Sequence, residues 1–353
     1  MKASATYMVP EAGEDEPLLH GGDLGAARRL FPGAPEPFID LSTGINPNPY
    51  PLPRLDRGLF ARLPERDTVA AVAAAAARAY GAASAAHVVV APGTQILLPL
   101  VAGLVQPGHA AILAPTYPEF ARAAALAGHR VKAACDIGEC TDVSLVIVAN
   151  PNNPDGRVLP RATLLALARE LRRRGGLLVI DEAFMDVGPP GASLAGELSS
   201  GNVVVLRSFG KFFGLAGIRL GFALAAPVLT ARLGVTLGPW AASGPALEIG
   251  AKALTDTAWI ARMRERLAAQ SRRLDATVTD AGLTVIGGTS LFRLVHAPAA
   301  TALFHHLGRS GVFVRAFPGN ANWLRFGLPA HAPHWRRLEK ALASFRSMSR
   351  RRA

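Results

Sequence analysis

Short, continuously apolar segments alternate with amphipathic segments between residues 87 and 207. The apolar segments predict five strands, at residues 87–91, 110–114, 144–149, 177–180 and 203–207. Strands that are apolar on both faces are typical of a parallel sheet that is covered by helices on both sides. The sequence therefore predicts an α/β fold with a mostly parallel central sheet. Ligands of such sheets bind beyond the carboxyl ends of the strands.

The pattern changes after Trp240, where a long helical stretch runs from residue 246 to about residue 281. Short strands follow near residues 291–295, 312–316 and 323–326, and helices flank them. This arrangement predicts a smaller α+β domain. A chain of 353 residues also exceeds what one compact core usually holds.

Composition and charge exclude several classes of protein. Half of the residues are hydrophobic and 18% are charged, which indicates a folded globular chain. The net charge is +12, but the arginine runs at 172–174 and 350–352 lack the interleaved aromatic residues of single-strand binding surfaces. We therefore expect no nucleic-acid partner, and the positive charge suits an anionic substrate.

Two cysteines, Cys135 and Cys140, cannot build a disulfide framework in so long a chain, which predicts a reduced, cytoplasmic protein. No apolar run is long enough to span a bilayer, so we expect no membrane partner. No cluster of His, Cys and Glu has the spacing of a metal site, so no metal is expected.

Unusual residues follow four of the predicted strands, at residues 91–95, 150–156, 181–184 and 208–214. Gly93 lets the backbone approach a ligand, and the helix predicted to open at Gly93 offers the free N–H groups of its N-terminus to an anion. Asp181 is costly at a buried strand end unless it meets a cation. Lys211 lies among phenylalanines, where poor solvation lowers the pKa of its amine and favours the nucleophilic form. Taken singly, each segment is equally compatible with a turn, a helix cap or a surface lysine.

Together these segments resemble the aspartate aminotransferase-like family of fold type I pyridoxal-5′-phosphate (PLP) enzymes. Asn153-Pro154-Asp155-Gly156, Asp181-x-Ala183-Phe184 and Ser208-x-x-Lys211 occur in the family's order, and Arg219 follows the lysine by eight residues. The resemblance covers nearly the whole chain and implies PLP as cofactor and a homodimer. It also implies an N-terminal segment (1–45) that joins the small domain and the active site, a large PLP-binding domain (46–240) and a C-terminal small domain (241–353).

The resemblance implies a role for each motif residue. Lys211 would carry PLP as a Schiff base and later move protons. Asp181 would pair with the pyridine nitrogen, and Asn153 would donate a hydrogen bond to O3′ of the ring. Tyr117 would stack on the ring, and Arg325 would bind the substrate α-carboxylate. The residues assigned to the cofactor phosphate are Gly93, Thr94, Ser208 and Arg219.

Two subfamilies are similar to this chain: threonine-phosphate decarboxylase and histidinol-phosphate aminotransferase. The first is closer, because the N-terminal signature His20-Gly21-Gly22-Asp23 and the loop at 42–47 resemble the decarboxylases. Phe184 also stands where aminotransferases usually have a tyrosine that donates to O3′. Leu63 departs from both subfamilies, which often have a tyrosine there that reaches the partner's cofactor phosphate.

The implied reaction is decarboxylation of L-threonine O-3-phosphate to (R)-1-aminopropan-2-ol O-2-phosphate and CO2, in cobalamin biosynthesis. A phosphorylated amino acid is therefore the expected substrate. The candidates for its distal phosphate are His20, Ser42, Thr43 and Asn46. The alternative function is histidinol-phosphate aminotransferase or a related class I/II aminotransferase.

Overall fold

The computed structural model describes residues 21–317 and 319–350. They divide into two compact units. The larger unit comprises residues 49–153 and 157–260, and the smaller unit comprises the rest. No helix in this part of the chain combines the length and the apolar character that crossing a membrane requires.

The strands, in chain order, are β1 (Ile39–Leu41), β2 (Val88–Ala91), β3 (His109–Leu113), β4 (Arg130–Ala134), β5 (Leu145–Ala149), β6 (Leu177–Asp181), β7 (Val203–Ser208), β8 (Gly221–Ala225), β9 (Thr284–Thr289), β10 (Phe292–His296), β11 (Val312–Ala316) and β12 (Trp323–Gly327).

The α-helices, in chain order, are α1 (Leu24–Leu30), α2 (Gly58–Ala61), α3 (Arg66–Tyr80), α4 (Leu97–Ala102), α5 (Glu119–Leu126), α6 (Arg161–Arg173), α7 (Phe209–Phe212), α8 (Pro227–Leu237), α9 (Gly244–Thr255), α10 (Thr257–Asp280), α11 (Ala300–Arg309) and α12 (Ala332–Arg350).

The larger unit contains a seven-stranded sheet with the order β2-β8-β7-β6-β5-β3-β4. Strands β3 to β7 are mutually parallel, and β8 runs antiparallel to both β7 and β2. The central strands are buried on both faces, as their continuous Val, Ile and Leu content requires. The predicted α/β fold with a mostly parallel sheet is confirmed.

The smaller unit contains a five-stranded sheet with the order β1-β11-β12-β10-β9. Strand β1 is parallel to β11, and the other neighbours are antiparallel. Helices α11 and α12 bury one face each in this unit, with Leu303, Leu307, Leu338 and Leu342 among the buried side chains. The predicted mixture of helices and short strands is therefore found here.

Four strands were not predicted, and three of them are short or interrupted edge segments. Strand β4 is the edge strand next to β3, and Arg130 and Lys132 interrupt its apolar pattern, as charged residues do on exposed edges. Strands β1 and β9 lie at the edges of the smaller sheet. Strand β8 is buried, but it consists of Gly221 and four residues that include two alanines.

Two predicted helices also differ from the structure. The helical stretch from residue 246 to about 281 is interrupted at Asp256, which separates α9 from α10. The side chain of Asp256 accepts a hydrogen bond from the backbone N–H of Trp259 and so caps the second helix. The helix expected to open at Gly93 begins at Leu97 instead, and residues 94–96 form a turn before it.

Candidate active site

The carboxyl ends of the central strands bring the predicted cofactor residues of the larger unit to one edge of its sheet. Asp181, at the end of β6, is in register with Ala149 of β5 and Leu206 of β7. Ser208, at the end of β7, is in register with Gly221 of β8, which also pairs with the end of β2. The segments that follow these strands therefore leave the sheet at a common edge.

Gly93 and Arg219 form a tight backbone cradle at this edge. Gly93 has a positive φ of 87°, and a Cβ atom there would lie 2.8 Å from Nη2 of Arg219. A Cβ atom at Gly221 would lie 2.7 Å from the backbone N of Thr94. Arg219 itself has a left-handed φ of 54°, and its Nη1 donates to the carbonyl of Ala216. A guanidinium held close to the backbone of a glycine turn is a suitable site for a phosphate group.

Lys211 lies on α7, a single helical turn that begins directly after β7. The phenylalanines next to it in sequence, Phe209, Phe212 and Phe213, are buried in the core. The rings of Phe209 and Phe213 are stacked with centroids 4.3 Å apart, and Phe213 is stacked on Trp259 at 5.6 Å. This stack anchors the turn, while Nζ of Lys211 lies 6.0 Å from the ring centroid of Phe184.

Asp181 is the electrostatically unusual residue of this edge. Burial raises the pKa of its carboxyl to about 6. The backbone N–H of Ala183, which donates to Oδ1 at 3.0 Å, and the positive charge of Lys211 act in the opposite direction. A cationic ring nitrogen would favour the ionised carboxylate further. Asp181 therefore fits the pyridinium of the expected cofactor, as the cradle fits its phosphate.

A buried ion cluster supports the ends of β6 and β7, and sequence analysis missed it. Arg207 forms salt bridges of 3.0 Å with both Glu182 and Asp186, and its guanidinium lies 4.1 Å from the ring centroid of Tyr80. Glu182 also accepts a hydrogen bond from Ser193. The available signal was an arginine at the end of an otherwise apolar strand. Since Glu182 follows Asp181 and Arg207 precedes Ser208, the cluster fixes the segments that carry both.

Asn152 connects the segments of Tyr117 and Asn153. It is 1% exposed, its Oδ1 accepts from Thr116 at 2.7 Å, and its Nδ2 donates to the carbonyl of Pro115 at 2.8 Å. The sequence offers no spacing signal for this link, because the partners are 36 and 37 residues apart. The link fixes the loop before Tyr117 against the loop that ends at Asn153.

The smaller unit presents two arginines directly opposite each other. Arg325 of β12 is in register with Arg315 of β11, and its Nη2 donates to the carbonyl of Ser42 at 2.7 Å. Burial and the charge of Arg315 lower the pKa of Arg325 to about 10, while Asp40 opposes this shift. Like charges opposite each other in a sheet are unfavourable. A bound anion would relieve this repulsion. Arg315 was not predicted from the sequence to take part in the site.

The other substrate candidates of the smaller unit are held by local hydrogen bonds. The hydroxyl of Ser42 donates to Asp40 at 2.6 Å and accepts from the backbone N–H of Gly22 at 2.8 Å. Asn46 is buried, and its Oδ1 accepts from the backbone N–H of Asn48. Thr43 is partly buried. His20 lies outside the described residues, so its role stays a prediction.

No group of three or more His, Cys, Asp or Glu side chains within residues 21–317 and 319–350 is arranged to hold a metal ion.

Comparison with known proteins gives consistent matches over most of the chain. The profile of the family "Aminotransferase class I and II" matches residues 37–343. A threonine-phosphate decarboxylase from Sinorhizobium sp is 46% identical over 93% of this chain and 98% of that protein. One from Pseudomonas aeruginosa is 41% identical over 93% and 98%. The structure is similar to that of a histidinol-phosphate aminotransferase from Sinorhizobium meliloti in complex with pyridoxal-5′-phosphate, with a TM-score of 0.72, 24% identity, and coverage of 83% and 85%. This likeness confirms the predicted aminotransferase-like fold.

The raised pKa of Asp181 predicts how the stability of the cofactor-free protein depends on pH. The folded pKa of about 6 lies above the unfolded value, so the folded state binds more protons between about pH 4 and pH 6 and loses stability as pH rises through that window. Asp181→Asn removes this penalty. Its unfolding free energy relative to the unsubstituted protein should therefore rise by up to about 3 kcal/mol between about pH 4 and pH 8.

Chemical unfolding of the apoprotein at several pH values measures this difference. The exposed Glu265→Gln variant controls for the loss of one carboxylate. A difference between Asp181→Asn and the unsubstituted protein that does not change with pH would contradict the assignment.

Proposed function

Because the chain belongs to the class I and II aminotransferase family, we propose that it is a PLP-dependent decarboxylase of L-threonine O-3-phosphate. The products are (R)-1-aminopropan-2-ol O-2-phosphate and CO2, and the reaction belongs to cobalamin biosynthesis. The observation that carries the proposal is the end-to-end likeness to two threonine-phosphate decarboxylases. Phe184, which has no hydroxyl to donate, supports the decarboxylase over the aminotransferase reading.

The larger unit has the groups that PLP requires. Asp181 would accept a hydrogen bond from the protonated pyridine nitrogen, Asn153 would hydrogen-bond O3′, and Tyr117 would stack on the ring. The phosphate contacts would come from Gly93, Thr94, Ser208 and Arg219. When bound, PLP supplies a cationic ring that takes up the electrons of the bond broken at Cα of the substrate.

Lys211 serves first as the covalent attachment point of the cofactor and then as the proton carrier. When the carboxylate leaves as CO2, the bonding electrons remain on the substrate side, and Nζ of Lys211 delivers the proton that replaces it at Cα. The stacked rings of Phe209, Phe213 and Trp259 keep the turn that carries the lysine in one position. That rigidity supports proton delivery to one face of Cα.

The bond that breaks must lie perpendicular to the cofactor ring, so the anionic groups of the substrate have to be held in a fixed orientation. A strong ion pair to the departing carboxylate would stabilise the ground state and oppose its loss. We assign to Arg325 the role of orienting the carboxylate and to Arg315 the role of binding the distal phosphate. Ser42, Thr43, Asn46 and His20 stay candidates for the same phosphate.

Residues 46–240 are proposed as the cofactor-binding domain and residues 241–353 as the small domain. Residues 1–45 are proposed as the segment that joins the small domain and the active site. A cytoplasmic location is also proposed. It is supported by two cysteines that are both free, Cys135 exposed and Cys140 buried.

The covalent role of Lys211 predicts the behaviour of Lys211→Ala. Without the amine, the variant should bind PLP only noncovalently and lose the cofactor link that borohydride reduction traps. Mass spectrometry of the reduced protein measures the adduct. Lys252→Ala, which removes an exposed lysine paired with Glu248, is the control and should keep it. A borohydride-trapped adduct in Lys211→Ala would refute the assignment.

The substrate assignment predicts release of CO2 from L-threonine O-3-phosphate, with turnover of L-threonine slower by about 10³-fold or more. Two or three charge-assisted hydrogen bonds to the phosphate account for a difference of this size. CO2 release and 2-oxoglutarate-dependent amino transfer are measured side by side. Consumption of histidinol phosphate with 2-oxoglutarate, and no CO2 from threonine phosphate, would replace the proposal with the aminotransferase alternative.

A homodimer is proposed, supported by an apolar surface on the larger unit. Leu52, Phe60, Leu63 and Trp240 are each 58–69% exposed. Helix α2, which carries Phe60, packs against the start of α9 shortly after Trp240, since a Cβ atom at Gly244 would lie 2.6 Å from the carbonyl of Leu59. A second copy of the chain would cover these exposed apolar side chains.

Light scattering should therefore give the mass of a dimer. The double variant Phe60→Asp/Leu63→Asp should shift the protein towards monomer, because burying two carboxylates at an interface is unfavourable. Ile286→Asp adds a carboxylate to an exposed position of the smaller unit and should leave the mass unchanged. A monomeric, fully active unsubstituted protein would refute the proposal.

A further inference from the structure

We propose that Gln95 and Glu119 are positioning residues that fix the ring of Tyr117 through a hydrogen-bond chain of one defined direction. The proposal rests on the proposed function, in which Tyr117 stacks on the cofactor ring. Gln95 ends the segment at 91–95, where no role is assigned to its side chain, and Glu119 lies outside the four segments. Their contribution is visible only in the contacts between the turn before α4 and the start of α5.

This hydrogen-bond chain consists of three hydrogen bonds. The hydroxyl of Tyr117 donates to Oε1 of Gln95 at 3.1 Å, and Nε2 of Gln95 donates to Oε2 of Glu119 at 2.9 Å. Nη1 of Arg122 donates to the same carboxylate oxygen at 3.1 Å. Glu119 is 5% exposed, whereas the side chain of Arg122 is 64% exposed. The chain thus begins at a buried carboxylate and ends at the tyrosine.

The carboxylate of Glu119 determines the direction of the whole chain. An ionised carboxylate only accepts hydrogen bonds, so the amide of Gln95 must turn its NH₂ group towards it. The carbonyl oxygen of Gln95 then faces Tyr117 and can only accept, which makes the tyrosine hydroxyl the donor. The proton of that hydroxyl is therefore committed to Gln95. Tyr117 is left to interact with a ligand through its ring face.

The hydrogen-bond chain also connects two parts of the site that are 22 residues apart in sequence. Gln95 directly follows Thr94, whose backbone belongs to the phosphate cradle. Glu119 is the first residue of α5, and the ring of its neighbour Phe120 contacts the ring of Tyr117 edge-on, with centroids 5.5 Å apart. Tyr117 is thus held at its hydroxyl by Gln95 and at its ring by Phe120.

Burial of Glu119 indicates that this arrangement is more than a surface contact. A buried carboxylate loses hydration that its partners have to replace. Here the replacement includes Arg122, which supplies the opposite charge, and Gln95, which supplies the link to Tyr117. Gln95 is exposed, so without Glu119 its side chain would be free to sample other rotamers and to present either end of the amide to Tyr117.

A double-mutant cycle between Gln95→Leu and Tyr117→Phe tests the proposal. The readout is the affinity of the apoprotein for PLP, measured by titration and followed by protein fluorescence. Gln95→Leu should weaken PLP binding by about tenfold, the effect of one hydrogen bond that orders a contacting ring. In the Tyr117→Phe background the same substitution should change the affinity less than about twofold, because the hydroxyl it acts on is already gone.

Glu119→Gln tests the direction of the chain while preserving its shape. The new amide can accept or donate, so Gln95 is no longer forced into one orientation, and PLP affinity should fall by about three- to tenfold. Glu170→Gln is the matched control, because it removes another glutamate that is ion-paired to an arginine three residues later, on α6. It should leave PLP affinity unchanged, and thermal melting of each apoprotein checks that the variants fold.

Three results would overturn the proposal. The effects of Gln95→Leu and Tyr117→Phe on PLP affinity could multiply, or Gln95→Leu could leave PLP affinity unchanged. Glu119→Gln and Glu170→Gln could also lower PLP affinity equally. Failure of the proposed function gives a different result, since the unsubstituted apoprotein would then not bind PLP or its holoenzyme would release no CO2 from threonine phosphate. If the unsubstituted protein binds PLP and releases CO2 normally, but the effects of Gln95→Leu and Tyr117→Phe on PLP affinity multiply, only the role of Gln95 and Glu119 is rejected.

Discussion

The parallel register of β5, β6 and β7 is the constraint on which the candidate active site depends. It aligns Ala149, Asp181 and Leu206, so that the segments following these strands leave the sheet at one edge. Side chains on a strand alternate between faces, so a slip of one residue would move Asp181 to the opposite face of the sheet. The strands are buried on both faces, which leaves such a slip with no favourable packing. The apolar residues of these strands thus fix the register, and the register fixes the position of the Asp181 carboxylate.

Two charged residues at this edge are treated in opposite ways. Arg207 is buried but has two carboxylates, Glu182 and Asp186, as salt-bridge partners within the protein. Asp181 is next to this cluster, yet burial raises the pKa of its carboxyl despite the nearby charge of Lys211. Arg207 is therefore neutralised by carboxylates within the protein. Asp181 is not fully compensated, so a bound cation would stabilise its ionised form. Residues with such perturbed pKa values are concentrated at functional sites.

The sequence predicted those parts of the fold that carry a continuous apolar signal. Strands β5, β6 and β7 were found because Val, Ile and Leu dominate them, whereas β4 was missed because Arg130 and Lys132 mark it as an exposed edge. The motif residues, such as Lys211 and Asp181, were proposed from resemblance, and their roles stay predictions.

The residues that support the motifs were not found, because their contacts join distant segments without any periodic pattern. Asn152 and Thr116 are 36 residues apart, and Gln95 and Glu119 are 24 apart. Only the sheet and the turns that follow it bring such pairs together. The phenylalanines around Lys211 are visible in the sequence, but the stacking of Phe213 on Trp259 is not, because that contact joins segments far apart in the chain.

The proposed reaction and its aminotransferase alternative require the same groups of the larger unit, because both need PLP with a protonated ring and a lysine that moves protons. Apart from Phe184, the larger unit therefore does not select between them. Selection depends on which bond at Cα stands perpendicular to the ring, and that orientation is set by how the substrate's anionic groups are held. In the smaller unit the opposed pair of Arg315 and Arg325 is the arrangement that favours an anion, since a ligand with negative charge relieves their mutual repulsion. A substrate with both a carboxylate and a phosphate can engage two arginines at once, whereas L-threonine can engage only one. Discrimination for the phosphorylated amino acid and choice of the bond that breaks then share one physical origin.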